Sequence, residues 1–316
     1  MRELWTEKYR PKKLSEYVFR DSDQKRKCFD WVKDGALPHL LLSGTQGVGK
    51  TSLAYVLLNE LGVKNGDILK INASQENNVD TIREKVVNFA STMPFGDYDF
   101  KYVVLDEADY LSLSAQAVLR GVTEQYHNNC RFILTCNYPQ KIIPALSNSR
   151  CQRFHIEKLD FEEFLMRMIT ILQAEGVAIA TAEDVDILNT FVQAAYPDLR
   201  KCINDVQNNV IDGRLVKPNS SDTSGSQDYK VAAIDLFKKG KITEARKMIV
   251  EQAKADEYEE LYTMFYRNLD WWGDKLEQQD EAILVIRDGL YKHALVCDPE
   301  INLSATIVSL AKIRRG

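Results

Sequence analysis

Residues Gly44-Thr45-Gln46-Gly47-Val48-Gly49-Lys50-Thr51 follow the pattern G-x-x-x-x-G-K-[ST], and their flanks narrow the folds open to this chain. The apolar run His39-Leu40-Leu41-Leu42 precedes them, and Ser52-Leu53-Ala54-Tyr55-Val56-Leu57-Leu58 reads as a helix behind them. A glycine-rich turn between a buried strand and a helix lets backbone N–H groups wrap phosphates, while the helix N-terminus adds positive potential. Gly44 through Ser52 are therefore expected to cradle a nucleoside triphosphate. Lys50 should reach its β- and γ-phosphates, and the Thr51 hydroxyl should ligate Mg²⁺.

The chain around this loop reads as the fold that such a loop needs. Ile68-Leu69-Lys70-Ile71, Tyr102-Val103-Val104-Leu105, Arg131-Phe132-Ile133-Leu134-Thr135 and Cys151-Gln152-Arg153-Phe154-His155-Ile156 are short apolar runs separated by helical stretches. Unbroken apolar strands between helices predict a parallel sheet covered on both faces. In Asp106-Glu107-Ala108-Asp109 the acids stand at the C-terminal edge of a strand, where ligands of such sheets sit. Asp106 is placed to hold a Mg²⁺ shell and Glu107 to polarise an attacking water, a pairing suited to hydrolysis. Asn137 ends the next strand and Arg150 stands just before the last one. Residue type alone leaves both open: Asn is common where strands become loops, and a loop Arg is usually solvated.

Beyond Asp160 the strand signal stops. Helices are expected over Phe161–Glu175, Ala182–Ala195 and Asp198–Asp212. Residues 218–228, polar throughout, read as a linker. The expected organisation is an α/β P-loop domain over 1–157, a small helical domain over 158–217, the linker, and an all-helical domain over 229–316. In the last, Tyr258, Tyr262, Phe265, Leu269 and Trp272 form a stripe that fits either a helix core face or a subunit interface.

Charge limits the partners. The 316 residues carry 41 Lys and Arg against 46 Asp and Glu, a net charge of −5, which excludes a protein that coats polyanions by bulk electrostatics. Local basic patches remain possible, since the first 27 residues hold nine Lys or Arg against five acids. No apolar run reaches the roughly 18–20 residues of a membrane span. The N-terminus lacks the apolar stretch of a signal peptide, so the expected location is the cytoplasm. The six cysteines contain no C-x-x-C pair and read as reduced thiols.

With these residues in view, the chain resembles the AAA+ clamp-loader ATPases, of the replication factor C small-subunit type, closest in character to the T4-type phage clamp-loader large subunit. The carriers are Trp5-Thr6-Glu7-Lys8-Tyr9-Arg10-Pro11, the Gly44–Thr51 loop, Asp106-Glu107-Ala108-Asp109, Ala115-Gln116-Ala117-Val118-Leu119-Arg120, Thr135-Cys136-Asn137-Tyr138, Ser149-Arg150-Cys151 and Tyr196-Pro197-Asp198-Leu199-Arg200-Lys201. The resemblance implies an AAA+ domain, a helical lid and a helical collar. It implies ATP and Mg²⁺ as cofactors, with Thr6, Glu7, Lys8, Tyr9, Arg10, Pro11 and Val18 bordering the adenine pocket. Asn137 would be the sensor on the fourth strand and Arg200 a second sensor on the lid. Arg150 would be the finger that reaches the ATP of an adjacent subunit. Gln116 would couple DNA engagement to the nucleotide site, and Arg83 and Arg120 would face the DNA backbone. The segment Phe89–Phe95 would grip a sliding clamp, although a core-facing Met93 and Phe95 fit the residues as well. The implied partners are the clamp, primer–template DNA and other loader subunits in a pentameric assembly, with no membrane; a phage-encoded chain would work in the host cytoplasm.

Three alternatives compete. A DEAD-box helicase needs two RecA-like domains, and this chain offers one. Another AAA+ motor, such as a helicase loader or a Holliday-junction translocase, would share the phosphate chemistry but not the Ser-Arg-Cys and Glu-Lys-Tyr-Arg-Pro segments. A non-hydrolysing scaffold subunit is opposed by the presence of Lys50, Thr51, Asp106, Glu107 and Arg150 together.

Overall fold

A computed structural model describes residues 3–96, 98–179, 181–216 and 228–315. Five of the apolar runs form one parallel sheet: β1 (Leu40–Gly44), β2 (Ile68–Asn72), β3 (Lys101–Asp106), β4 (Cys130–Cys136) and β5 (Gln152–Ile156). Their order is β2-β3-β4-β1-β5. Burial follows position. The central strands β1, β3 and β4 are buried almost throughout, whereas the edge strand β5 alternates between exposed and buried residues. Because β1 and β2 are consecutive in the chain yet separated in the sheet by β3 and β4, the winding reverses beside β1. The ligand crevice of an open α/β sheet lies outside the strand ends at such a reversal.

Helices cover both faces. Before the sheet come α1 (Trp5–Lys8) and α2 (Ser22–Lys33), the latter capped by Asp21, which accepts the Gln24 N–H at 2.8 Å. After β1 comes α3 (Lys50–Glu60), anchored by the buried Leu53, Leu57 and Leu58. Full burial of a leucine contributes roughly 1.5–3 kcal/mol. On the face bearing Leu41, Val103, Leu105, Phe132 and Leu134 pack α4 (Val79–Ala90), through Ile82, Val86 and Ala90, and α5 (Leu113–Gln125), through Ala115, Leu119 and Val122. Asn78 and Ser112 cap these two helices. The short α6 (Pro144–Ser147) leads to β5.

The chain divides into two compact units, Met1–Ile171 with Pro197–Ile203, and Leu172–Tyr196 with Asn204–Gly316. After β5 run α7 (Phe161–Ala174), α8 (Ala182–Ala195) and α9 (Leu199–Asn208). The helix expected over Asp198–Asp212 is shorter than its apolar spacing suggests. It ends at Asn208, and a two-stranded antiparallel hairpin follows, β6 (Val210–Ile211) and β7 (Arg214–Leu215). Asp212 and Gly213 both take positive φ, 49° and 73°, as the tight hairpin turn requires. Asp-Gly is the sequence signal for that turn, and here it overrides helical periodicity. The linker expected at 218–228 lies outside the described residues except for Asp228, which begins a helix.

The second unit continues with α10 (Asp228–Lys238), α11 (Ile242–Gln252), α12 (Tyr258–Arg267), α13 (Leu276–His293) and α14 (Pro299–Arg315). Its core is aromatic: Phe237 stacks on Trp271 with centroids 5.1 Å apart and meets Trp272 and Phe265 edge-on. Tyr258, Tyr262, Phe265 and Trp272 are buried in this core and Leu269 packs against it, so the stripe is a core face. All six cysteines are free thiols, five of them buried. Among the described residues no helix is long and apolar enough to cross a membrane.

Candidate nucleotide site

The glycine-rich loop emerges from β1 at the winding reversal. At Gly44 a Cβ would fall 2.0 Å from the Ile156 carbonyl oxygen, so β1 and β5 close on the loop where it begins. Gly47 and Gly49 take φ of +75° and +86°, which turns the chain sharply into α3. Lys50 is buried and donates to Gly44 O (2.9 Å), Thr45 O (2.7 Å) and Asn137 Oδ1 (2.8 Å). Burial lowers its proton affinity. Cys136, Asp106 and Asp109 act against that shift, and Arg200 adds to it.

The sheet order explains the Asn137 contact. Strand β4 lies between β1 and β3, so Asn137, one residue past its end, stands between the loop and the acids. Thr51 Oγ1 donates to Asp106 Oδ1 at 2.8 Å, and Thr135 Oγ1 donates to the same oxygen. Glu107 has left-handed backbone, φ 55° and ψ 42°, and its N–H donates to Thr135 Oγ1 at 3.1 Å. Asp109 Oδ2 accepts the N–H groups of Asn137 (3.3 Å) and Tyr138 (3.2 Å) and so fixes the end of β4. A hydroxyl and a carboxylate side by side are the hard oxygen donors that Mg²⁺ takes, one or two at a time, in phosphate sites. Thr51 and Asp106 thus fit that ion.

Two adjoining clefts meet at Gly47, Gly49, Ser52 and Arg200. One is polar, lined by Gln46, Lys50, Thr51, Asp106, Glu107, Thr135, Cys136 and Asn137. The other is more apolar, lined by Thr6, Glu7, Tyr9, Arg10, Pro11, Tyr17, Val18, Val48, Leu159, Arg167 and Ile203 among others. A triphosphate suits the first and a base with its ribose the second. Of the expected adenine-side residues, Lys8 does not line the cleft. Sequence motifs assign no role to Tyr17, whose hydroxyl donates to Val48 O at 3.2 Å, or to Arg167, which donates to Tyr9 O at 2.9 Å. Neither stands in a motif. Nor does any motif assign a role to Asp198, which caps α9 by accepting the Lys201 N–H at 2.8 Å and lies against Gly47. Burial raises its pKa.

The remaining expected residues lie elsewhere. Arg150 lines neither cleft; its guanidinium is held by Glu124 at the end of α5, with Nε 3.1 Å from Oε1. Arg120 shares that carboxylate at 3.7 Å. The Arg150 hydrogen bond lowers the Glu124 pKa. Arg83 is exposed and 3.7 Å from Asp80. Gln116 is buried, donating to Leu111 O (3.1 Å) and Lys141 O (3.0 Å) and accepting from Ile143 N (2.8 Å), which ties α5 to the segment after β4. Met93 and Phe95 are 72% and 77% exposed, so they do not face the core.

Residues 40–158 match the sequence profile of the ATPase family associated with various cellular activities (AAA). The chain is 35% identical to the replication factor C small subunit of Methanococcus vannielii over 290 residues, 91% of this chain and 85% of that one. The chain belongs to the replication factor C small subunits. The same subunit of Archaeoglobus fulgidus is 36% identical over 252 residues, 78% of this chain and 77% of that protein. As a member of that family, the chain is a clamp-loader AAA+ ATPase subunit that binds ATP. In fold it is similar to the Holliday junction branch migration motor RuvB of Thermotoga maritima, with a TM-score of 0.50 at 15% identity over 64% of each chain.

Proposed function

We propose that this subunit works in an oligomeric loader, pentameric as a whole, that opens a sliding clamp and places it on primer–template DNA, with ATP hydrolysis triggered by clamp and DNA. The carrying observation is a division of labour. Lys50, Thr51, Asp106, Glu107 and Asn137 converge on one polar cleft, whereas Arg150 lines none of it. Arg150 then serves as the finger for a neighbour's ATP. Its exposed pair with Glu124 is of the weak, salt-screened kind, readily given up for a phosphoryl group.

Within the cleft, Lys50 exchanges the Asn137 oxygen for the β- and γ-phosphates. Asn137 and Arg200 then sense the γ-phosphate, and Glu107 polarises the attacking water. Mg²⁺, held by Thr51 and through the shell of Asp106, neutralises phosphate charge when bound. Gln116, with all three bonds made inside the subunit, passes DNA engagement at Arg83 and Arg120 to the segment after β4. The clamp contact is the loop bearing Met93 and Phe95, braced by Asp67, whose Oδ2 accepts the Phe95 N–H at 2.8 Å. Residues 158–217 act as the lid, 218–228 as the linker and 229–316 as the collar. The exposed Leu284, Tyr291, Leu295 and Ile301 of that last region suit contact with other subunits. Kinship to the T4-type phage large subunit, and a host-cytoplasm location, belong to this reading too. They are supported only by the likeness of the Glu175–Ala180 segment, whose Ala180 lies outside the described residues.

The test is steady-state ATP hydrolysis by the chain alone, then with primer–template DNA, clamp and partner subunits. Strong stimulation that needs every component, and is lost in Glu107→Gln and in Arg150→Ala, is expected. Stimulation by DNA with no effect of clamp would instead assign a translocating motor.

A further inference from the structure

The corner between Asp106 and Glu107 is turned by an unusual backbone. Glu107 is one of two non-glycine residues with positive φ among those described. Such conformations persist where the surroundings hold them, and they cluster at functional sites. Two contacts hold this one. The Glu107 carbonyl accepts the Tyr110 N–H at 2.9 Å, and its N–H donates to Thr135 Oγ1 at 3.1 Å. The Thr135 hydroxyl then directs its own proton to Asp106 Oδ1, the oxygen that also accepts from Thr51.

One hydroxyl on β4 therefore grips both acids where β3 ends, Glu107 by its backbone and Asp106 by its carboxylate. Thr135 is 1% exposed, on a strand paired directly with β3, so its hydroxyl is held in place. Both donors to Asp106 converge on Oδ1. Asp106 lines the polar cleft, where its carboxylate would hold a metal's water shell.

We infer that Thr135 is a positioning residue for ATP hydrolysis: it sets the directions of Asp106 and Glu107 without touching the reacting atoms. Its role differs from that of Asn137, which meets Lys50 directly. The inference rests on the roles given above to Asp106 and Glu107. Thr135 does not line the cleft suited to the base, and its side-chain bonds go to Asp106 and Glu107 rather than to the loop. Its loss should fall on turnover and on Mg²⁺ dependence.

The experiment compares Thr135→Val, Thr135→Cys and Thr135→Ser in the complete loader with DNA and clamp. It reads kcat, KM for ATP and the Mg²⁺ midpoint, beside the Kd of a fluorescent ATP analogue in EDTA. Misplacing a catalytic group by about 1 Å can cost on the order of 100-fold. A fall in kcat of roughly 10- to 100-fold is accordingly expected for valine, which keeps nearly the same shape without the hydroxyl, with a raised Mg²⁺ midpoint. The EDTA Kd should move less than about threefold, serine should stay near wild type, and cysteine should fall between. If the valine chain does not fold, cysteine against serine carries the same comparison. Equal kcat in all three, serine as impaired as valine, or an equal weakening of binding in EDTA would overturn the inference. Glu107→Gln separates the two levels. If it hydrolyses normally, the underlying reading fails; if it is inactive while Thr135→Val turns over normally, only the role of Thr135 fails.

Discussion

Gly47 is a free position in the loop's sequence pattern, yet the structure leaves no choice there. Its φ is +75°, and a Cβ would fall 1.8 Å from Asp198 Oδ1. An L-residue held in that region costs about 1–2 kcal/mol. The Asp198 carboxylate would also have to turn away, giving up its cap on α9, the helix that carries Arg200. For Gly47→Ala we expect ATP affinity to fall by about tenfold or more, since each 1.4 kcal/mol is a factor of ten. Titration with a fluorescent ATP analogue checks it, and an unchanged Kd would mean that Asp198 yields freely. This requirement is not legible in the motif, because its partner stands far along the chain. Lys50, Thr51 and Asp106 are legible, since strand, turn and helix spacing place them at strand ends. Asn137 is left open by residue type, and its contact with Lys50 depends on strand order. Thr135 is visible as a polar residue closing an apolar strand, but its two bonds depend on strand order.

At the scale of elements, the five strands are legible because unbroken apolar runs leave no solvent face to misassign. Their order is not, since no local signal says that β4 lies between β1 and β3. The hairpin after α9 is carried by two residues, Asp212 and Gly213, within a run of helical spacing. The junction of β1 with β4 has its own consequence. His39 Nδ1 accepts the Phe132 N–H at 3.0 Å, which requires an unprotonated ring. Burial, with Arg131, His127 and Arg150 nearby, pushes its pKa down to about 4. The unfolded chain takes up that proton near pH 6.5 and the folded chain does not. Stability should therefore fall as pH drops from about 6.5 towards 4, by roughly 3 kcal/mol for this group. Denaturant unfolding at stepped pH should show a shallower loss in His39→Gln. Parallel curves would show that His39 does not cause the acid sensitivity.

For the whole molecule, a net charge of −5 forces any DNA contact onto a few local cations. The slope of log K against log salt should become shallower by about one for each phosphate deprived of its cation. If Arg83 meets the DNA backbone, Arg83→Ala should reduce that slope for the assembled loader and weaken binding similarly across sequences. Fluorescence anisotropy over a salt series measures it, and an unchanged slope removes Arg83 from the backbone contacts. The helical character of residues 229–316 is legible from periodicity. Burial is needed to decide which of its apolar stripes is core and which is left on the surface.

The separation of Arg150 from the cleft of its own chain bears on counting. On the role proposed for it, every contact joins unlike surfaces, one giving a guanidinium and the other a cleft awaiting one. Subunits so related stack head to tail, and such a series closes into a ring only if its rotation allows. An open arc must end with a spare arginine at one tip and an uncompleted cleft at the other. It has one fewer working site than it has subunits, and the two tips differ chemically.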